Sequence, residues 1–134
     1  MMKSFHAQRR ISLKEKIMAE NALVDLSMDF AVKIVNLTEE IEGKGVLKNQ
    51  ILKSGTSIGA NIREANYAQS KADFVSKFQI SLKECYETEY WLELFFRTNM
   101  ISTEKYSELK NDCGKIRRML ISSINTTKEK YNLV

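Results

Sequence analysis

The side chains able to do chemistry in this 134-residue chain are few, and most of them sit in one stretch. Glu84, Glu87, Glu89 and Glu93 follow closely on one another. Paired carboxylates can act as general acid and base when their surroundings drive their pKa values apart. They are a weak metal-binding set, because no His, Asp or Cys stands at ligand spacing beside them. The single histidine is His6, so imidazole catalysis is excluded, as is a di-iron bundle built on two Glu-x-x-His motifs. Cys85 and Cys113 lack CxxC spacing and read as buried thiols of a reducing compartment. Gly55 and Gly59 lie in a run from Ser54 to Asn66 that lacks both a preceding strand and a Gly-Lys-Ser/Thr ending, so it is not a phosphate loop. No nucleophile–base pair is present. The chain reads as having no catalytic residue, no cofactor and no metal.

The charges point elsewhere. The formal net charge is +4. Residues 1–16 carry Lys3, Arg9, Arg10, Lys14 and Lys16 against Glu15 alone, and the remainder of the chain is balanced. A basic arm on a neutral body can grip phosphates, since each contact releases a counterion from nucleic acid. The alternative is a solvated tail that serves only solubility. Lys115, Arg117 and Arg118 do not share a helix face, at about 100° of turn per residue, and read as ordinary surface charge.

Four elements must position these groups. Leu23, Leu26, Phe30, Ile34, Leu37 and Ile41 recur at steps of three and four and predict a helix over 22–42. Gly43-Lys44-Gly45 ends it. Leu47, Ile51, Ile58, Ile62 and Ala65 mark a second helix over 46–69. Ser70 is the N-cap of a third, reaching Thr98, with the stripe Phe74, Phe78, Leu82, Cys85, Leu92 and Phe96, and Asn99 closes it. Ser102 or Thr103 opens a fourth, which keeps its period to about residue 125 before the end frays. Phe5 to Met18 is a lead-in with loose periodicity, either a short helix or a mobile arm. The domain division is therefore an extension over 1–20 and a helical domain over 21–134. Short connections make neighbouring helices antiparallel, and the expected fold is an all-α, up-down-up-down four-helix bundle.

Two interior glycines in the second helix cost about 1 kcal/mol each relative to alanine. Gly55 and Gly59 share a face, which predicts close approach by another backbone, within the bundle or at a subunit contact. Asn61 is in line with Ser54, Ile58 and Ala65 and should face inward. Glu89 lies on the apolar stripe of the third helix, and buried acids need partners. A polar network from Asn61 to Glu89, helped by Arg63 or Lys53, is the expectation. A second line of Ile80, Glu84, Glu87, Trp91 and Phe95 makes the third helix the most buried, or one that also builds an interface. The aromatic run Tyr86, Tyr90, Trp91, Phe95 and Phe96 suits core or interface better than base stacking, because no basic residues are interleaved with it.

Composition agrees with a globular domain: 43% hydrophobic, 28% charged, no proline and five glycines. No run of apolar residues is long enough for a membrane span, and the N-terminus lacks a signal-peptide core, so a cytoplasmic location is expected.

The motifs together resemble a known family. Ser54 through Ala65, Ser70-Lys71-Ala72-Asp73-Phe74, Leu82-Lys83-Glu84 and Glu87-Thr88-Glu89-Tyr90-Trp91-Leu92 are similar to the 23S rRNA intervening-sequence proteins, as is Phe30 to Leu37. The likeness spans roughly 22–125 and leaves the basic arm outside it. It implies a bacterial four-helix bundle that assembles as a homo-oligomer, a pentamer, and it raises the expectation of RNA, DNA or ribonucleoprotein binding. A protein-binding adaptor is the alternative. The structural signature carried over is Ser57, Asn61, Glu64, Glu87 and Glu89, to which the residue reading adds Gly55, Gly59 and Trp91. None of these is implied to be catalytic.

Overall fold

The computed structural model describes residues 12–134. Four helices follow in order: α1 (Leu13–Glu40), α2 (Gly45–Ala65), α3 (Lys71–Arg97) and α4 (Thr103–Lys130). Short turns make neighbours antiparallel. Each helix packs on two others in the cycle α1–α2–α3–α4–α1, and no diagonal pair comes close. This is the expected up-down-up-down bundle.

The helix ends explain where the sequence reading of the boundaries differs. α1 starts at Leu13 rather than near Ala22. Ser12 and Glu15 form a reciprocal capping box, each side chain bonding the other's backbone N–H at 3.1 Å. The loose periodicity hid this start because Leu13, Ile17 and Met18 face outward. Phe5, Lys3, Arg9 and Arg10 lie outside the described residues. α2 stops at Ala65, and Asn66 to Gln69 form the turn into α3, where Ser70 accepts from Asp73 N at 3.0 Å. α3 and α4 end alike. Asn99 and Asn132 adopt left-handed φ values of 61° and 54°. The next residue's N–H returns to a carbonyl five positions back, Met100 to Phe95 and Leu133 to Lys128, both at 2.8 Å. α4 therefore does not fray at residue 125 but is closed at Lys130, with Leu133 packed on the core.

Large apolar side chains from all four helices form one core. Phe30, Ile34, Ile58, Ile62, Phe78, Leu92, Phe95, Leu109, Ile116 and Leu120 are all essentially inaccessible. The α2 glycines serve the α1–α2 contact inside the bundle. A Cβ on Gly55 would stand 2.9 Å from Ile34 Cγ1, and one on Gly59 would stand 3.1 Å from Ser27 Oγ. The α2–α3 contact is joined by buried hydroxyls instead. Thr88 Oγ1 and Ser54 Oγ are hydrogen-bonded at 2.9 Å, and Ser81 donates to the Ile58 carbonyl at 2.9 Å. Cys85 and Cys113 are buried free thiols on α3 and α4. The Cys113 thiol reaches the Cys85 carbonyl at 3.5 Å, and the contact with Cys85, together with burial, holds it firmly protonated.

Candidate functional site

The acids of α3 do not converge on one point. Glu89 turns toward α4, where Arg117 Nε meets its carboxylate at 2.7 Å, with both side chains three-quarters or more sheltered. The guanidinium also lies 5.6 Å from the Tyr86 ring centroid. Its pKa is raised by the bond to Glu89. Arg117 is thus a buried-pair partner and not ordinary surface charge, while Lys115 and Arg118 are exposed. Glu84 and Glu87 are half-buried. Burial raises the Glu84 pKa, the Glu87 charge adds to it, and Lys83 and Lys53 oppose it.

The expected Asn61–Glu89 network does not form. Asn61 Nδ2 donates at 2.9 Å to the Ser57 carbonyl of its own helix. That local bond satisfies the amide, and Glu89 already has Arg117 across the α3–α4 contact. Arg63 and Lys53 are exposed and take no part in a buried network. Glu64 pairs with Lys77 at 3.2 Å across the outer edge of α2 and α3. Trp91 is half-buried against Tyr90, with ring centroids 4.9 Å apart, and its Nε1 is buried with no hydrogen-bond partner among the described residues. The signature residues thus build the bundle: Gly55 and Gly59 against α1, Glu89 against α4, and Ser57, Asn61, Glu64, Glu87 and Trp91 along α2 and α3. Among the described residues no cluster of three or more His, Cys, Asp or Glu could hold a metal ion.

The basic residues do gather. Antiparallel packing brings the start of α1, the α2–α3 turn, the start of α3 and the end of α4 to one pole. Lys14 and Lys16 stand there with Lys71, Lys128 and Lys130, among the acids Glu15, Glu20, Asp73 and Glu129. The Schellman turn after α4 holds the Tyr131 ring among three ammonium groups: Lys71 at 5.1 Å, Lys130 at 5.5 Å and Lys16 at 5.8 Å from its centroid. The opposite pole is mixed, with Glu39, Glu40, Glu42, Glu93 and Glu104 among Lys44, Lys48, Arg97 and Lys105. Sequence reasoning placed Lys14 and Lys16 but missed Lys71, Lys130 and Tyr131, which are far apart along the chain. Asn132 followed by apolar Leu133 was the available sign that α4 is capped rather than frayed.

A pocket of about 280 Å³ adjoins this pole between α1 and α4. Leu23, Ala19 and Met119 line it with the acids Glu15 and Glu20 and the hydroxyl residues Ser122, Ser123, Thr126 and Thr127. Thr127 is 1% exposed, and its Oγ1 has no partner among the described residues. Lys16 belongs to both the pocket wall and the Tyr131 cluster.

None of the described helices is long and apolar enough to cross a membrane. No curated protein matches this chain. A crystal structure of a protein of unknown function from the S23 ribosomal protein family of Bacteroides thetaiotaomicron VPI-5482 is 52% identical, with a TM-score of 0.77; the match covers 80% of this chain and 98% of that one. Residues 19–122 match the 23S rRNA-intervening sequence protein family. That span holds the α2–α3 motifs and the glycine contact, and this chain belongs to the 23S rRNA-intervening sequence protein family.

Proposed function

We propose that this chain is a non-enzymatic, homo-oligomeric cytoplasmic protein that binds nucleic acid or a ribonucleoprotein through its basic pole and N-terminal arm. The observation that carries this reading is the gathering of three lysines from three helices around Tyr131 at one pole. Lys16, Lys71 and Lys130 surround Tyr131 at the pole where the basic arm carrying Lys3, Arg9 and Arg10 is attached. A local cluster of cations beside a basic arm attracts a polyanion to that end. The family name, which refers to rRNA, supports the same direction. The acids of α3 lend no support to catalysis, since Glu89 is taken up by Arg117.

Self-association is supported by the outer face of α1. Ile17, Met28, Val32 and Val35 recur at helical spacing and are each 40–50% exposed. A contiguous apolar stripe on a surface helix is the kind of patch that marks an interaction site. A pentamer, which the family resemblance implies, would place copies of the basic pole around one axis and multiply weak phosphate contacts by avidity.

The test is binding of RNA and DNA at about 50 and 200 mM salt, with the mass in solution measured alongside. Affinity that drops steeply with salt, from an oligomer, and that is lost in the Arg9→Glu, Arg10→Glu double variant, is expected. No binding at either salt by an intact oligomer overturns the nucleic-acid reading. The exposed α1 stripe then favours the second reading, a protein-binding adaptor, and a pull-down should return one partner.

A further inference from the structure

We infer that the basic pole holds a nucleotide-sized site for an unpaired nucleotide, with Lys16, Lys71 and Lys130 gripping its phosphate and the α1–α4 pocket taking its base. The inference rests on the nucleic-acid reading and makes it specific for single strands.

The three lysines come from three different helices and converge on one ring, within 5.1–5.8 Å of its centroid. Ammonium groups repel one another. The electron-rich face of Tyr131 lowers that cost but neutralises none of the charge. A group with two or more negative oxygens fits such a gathering, because it can accept from several ammonium groups at once. The position of Tyr131 is built, not incidental: Asn132 in the left-handed region and the return bond from Leu133 to Lys128 close the helix beneath it.

The pocket supplies the second half. Thr127 lies one helical turn before Tyr131, so the pocket and the lysine cluster are continuous along one face of α4. Lys16 joins them, its stem on the pocket wall and its ammonium group over the ring. The apolar walls, Leu23, Ala19 and Met119, suit the face of a base, and the carboxylates of Glu15 and Glu20, which also line the pocket, can accept from a base's amino group. Thr127 Oγ1 is buried and unpartnered, which is costly unless a ligand supplies the missing bond. A base edge offers both donors and acceptors to a hydroxyl. At about 280 Å³ the pocket is close to the small end of ligand sites and admits one base, not a base pair. A base stacked in a duplex cannot reach it. The matched family span stops at residue 122, so Thr127, Lys130 and Tyr131 lie outside it, as does Lys16.

The test uses the full chain with a fluorescent single-stranded oligonucleotide and a blunt duplex of the same sequence, read by anisotropy at about 50 mM salt. The wild type is expected to favour the single strand about tenfold or more. Lys71→Glu with Lys130→Glu should remove that preference. Thr127→Val should weaken single-strand binding about threefold or more and leave duplex binding unchanged. Circular dichroism melts confirm that each variant folds, and Thr127→Ser, which keeps the hydroxyl, should retain binding. Equal affinity for both forms, or single-strand binding indifferent to all these changes, overturns the site; if Arg9→Glu with Arg10→Glu still abolishes binding, the broader reading survives. Binding of neither form by the wild type overturns both. Titration of a nucleoside 5′-monophosphate, with inorganic phosphate as control, gives a second readout: a nucleotide that binds no tighter than phosphate also overturns the base pocket.

Discussion

α1 makes two lateral contacts, and they are built on opposite principles. Against α2, small residues let the helices close on each other: a methyl group on Gly55 would collide with Ile34, and one on Gly59 would press tightly on Ser27. Against α4, the helices stand apart near the basic pole and leave a pocket with an unsatisfied hydroxyl, Thr127. Lys33 bridges α1 and α4 toward the other end, to Glu108 at 2.9 Å and Asp112 at 2.7 Å, on the exposed surface where ion pairs contribute little. The family signature lies in the tight half of the molecule and reads as packing. Of the two buried groups without a partner among the described residues, Trp91 Nε1 lies on α3 with the signature, and Thr127 Oγ1 lies in the loose half, where a ligand could complete it.

Substitutions can break this contrast or sharpen it. The largest effect is expected from Gly55→Leu. The new side chain would collide with buried Ile34, and overpacking of this kind costs about 1–3 kcal/mol or more, beyond the roughly 1 kcal/mol that leaving glycine returns. A chemical melt should show strong destabilisation or loss of fold; an unchanged midpoint would mean the α1–α2 contact is not tight.

Next come two identical changes with opposite expected signs. Thr88→Val removes the hydroxyl that bonds Ser54 at 2.9 Å and the Glu84 carbonyl at 2.7 Å, and leaves Ser54 with a poorer partner. It should cost about 1–2 kcal/mol. Thr127→Val removes a hydroxyl that bonds nothing among the described residues. It should leave stability unchanged or raise it by up to about 1 kcal/mol. Urea melts of the two variants side by side decide the matter, and equal losses would mean that Thr127 is satisfied in solution.

The smallest effect is expected at Glu84. Burial, followed by the neighbouring Glu87 charge, raises its folded pKa above the ordinary 4.5. A carboxyl raised in this way binds its proton more tightly when folded, so its charge lowers stability once pH climbs through the window above 4.5. Glu84→Gln should therefore raise the melting temperature by a degree or two at pH 7 and make no difference well below pH 4, with less than about 1 kcal/mol at stake. A destabilised variant at neutral pH would reverse the assigned sign.

Much of the bundle was legible in the chain itself. Leu23, Phe30, Ile34 and Leu37 announce one buried face by spacing alone, and Ser70 and Ser102 mark helix starts that the structure keeps. Gly55 and Gly59 announced close packing, although their neighbour could not be named. The start of α1 was missed because Ser12 and Glu15 work through local hydrogen bonds that hydrophobic periodicity does not register. The Asn61–Glu89 link was misjudged because sharing a helix face says nothing about which neighbour that face meets. Asn61 found its own backbone, and Glu89 found Arg117.

By itself, then, the sequence determined the helices, their antiparallel order, their buried stripes and the basic arm, because these depend on local periodicity, caps and short connections. Only the tertiary structure decided the partners. That Thr88 meets Ser54, that Arg117 meets Glu89, and that lysines from three helices surround Tyr131 follow from how the helices are rotated and spaced about one core. Those rotations are set by packing among residues distant in the chain, where small side chains such as Gly55 allow contact and hydroxyl-bearing ones such as Thr127 border a gap.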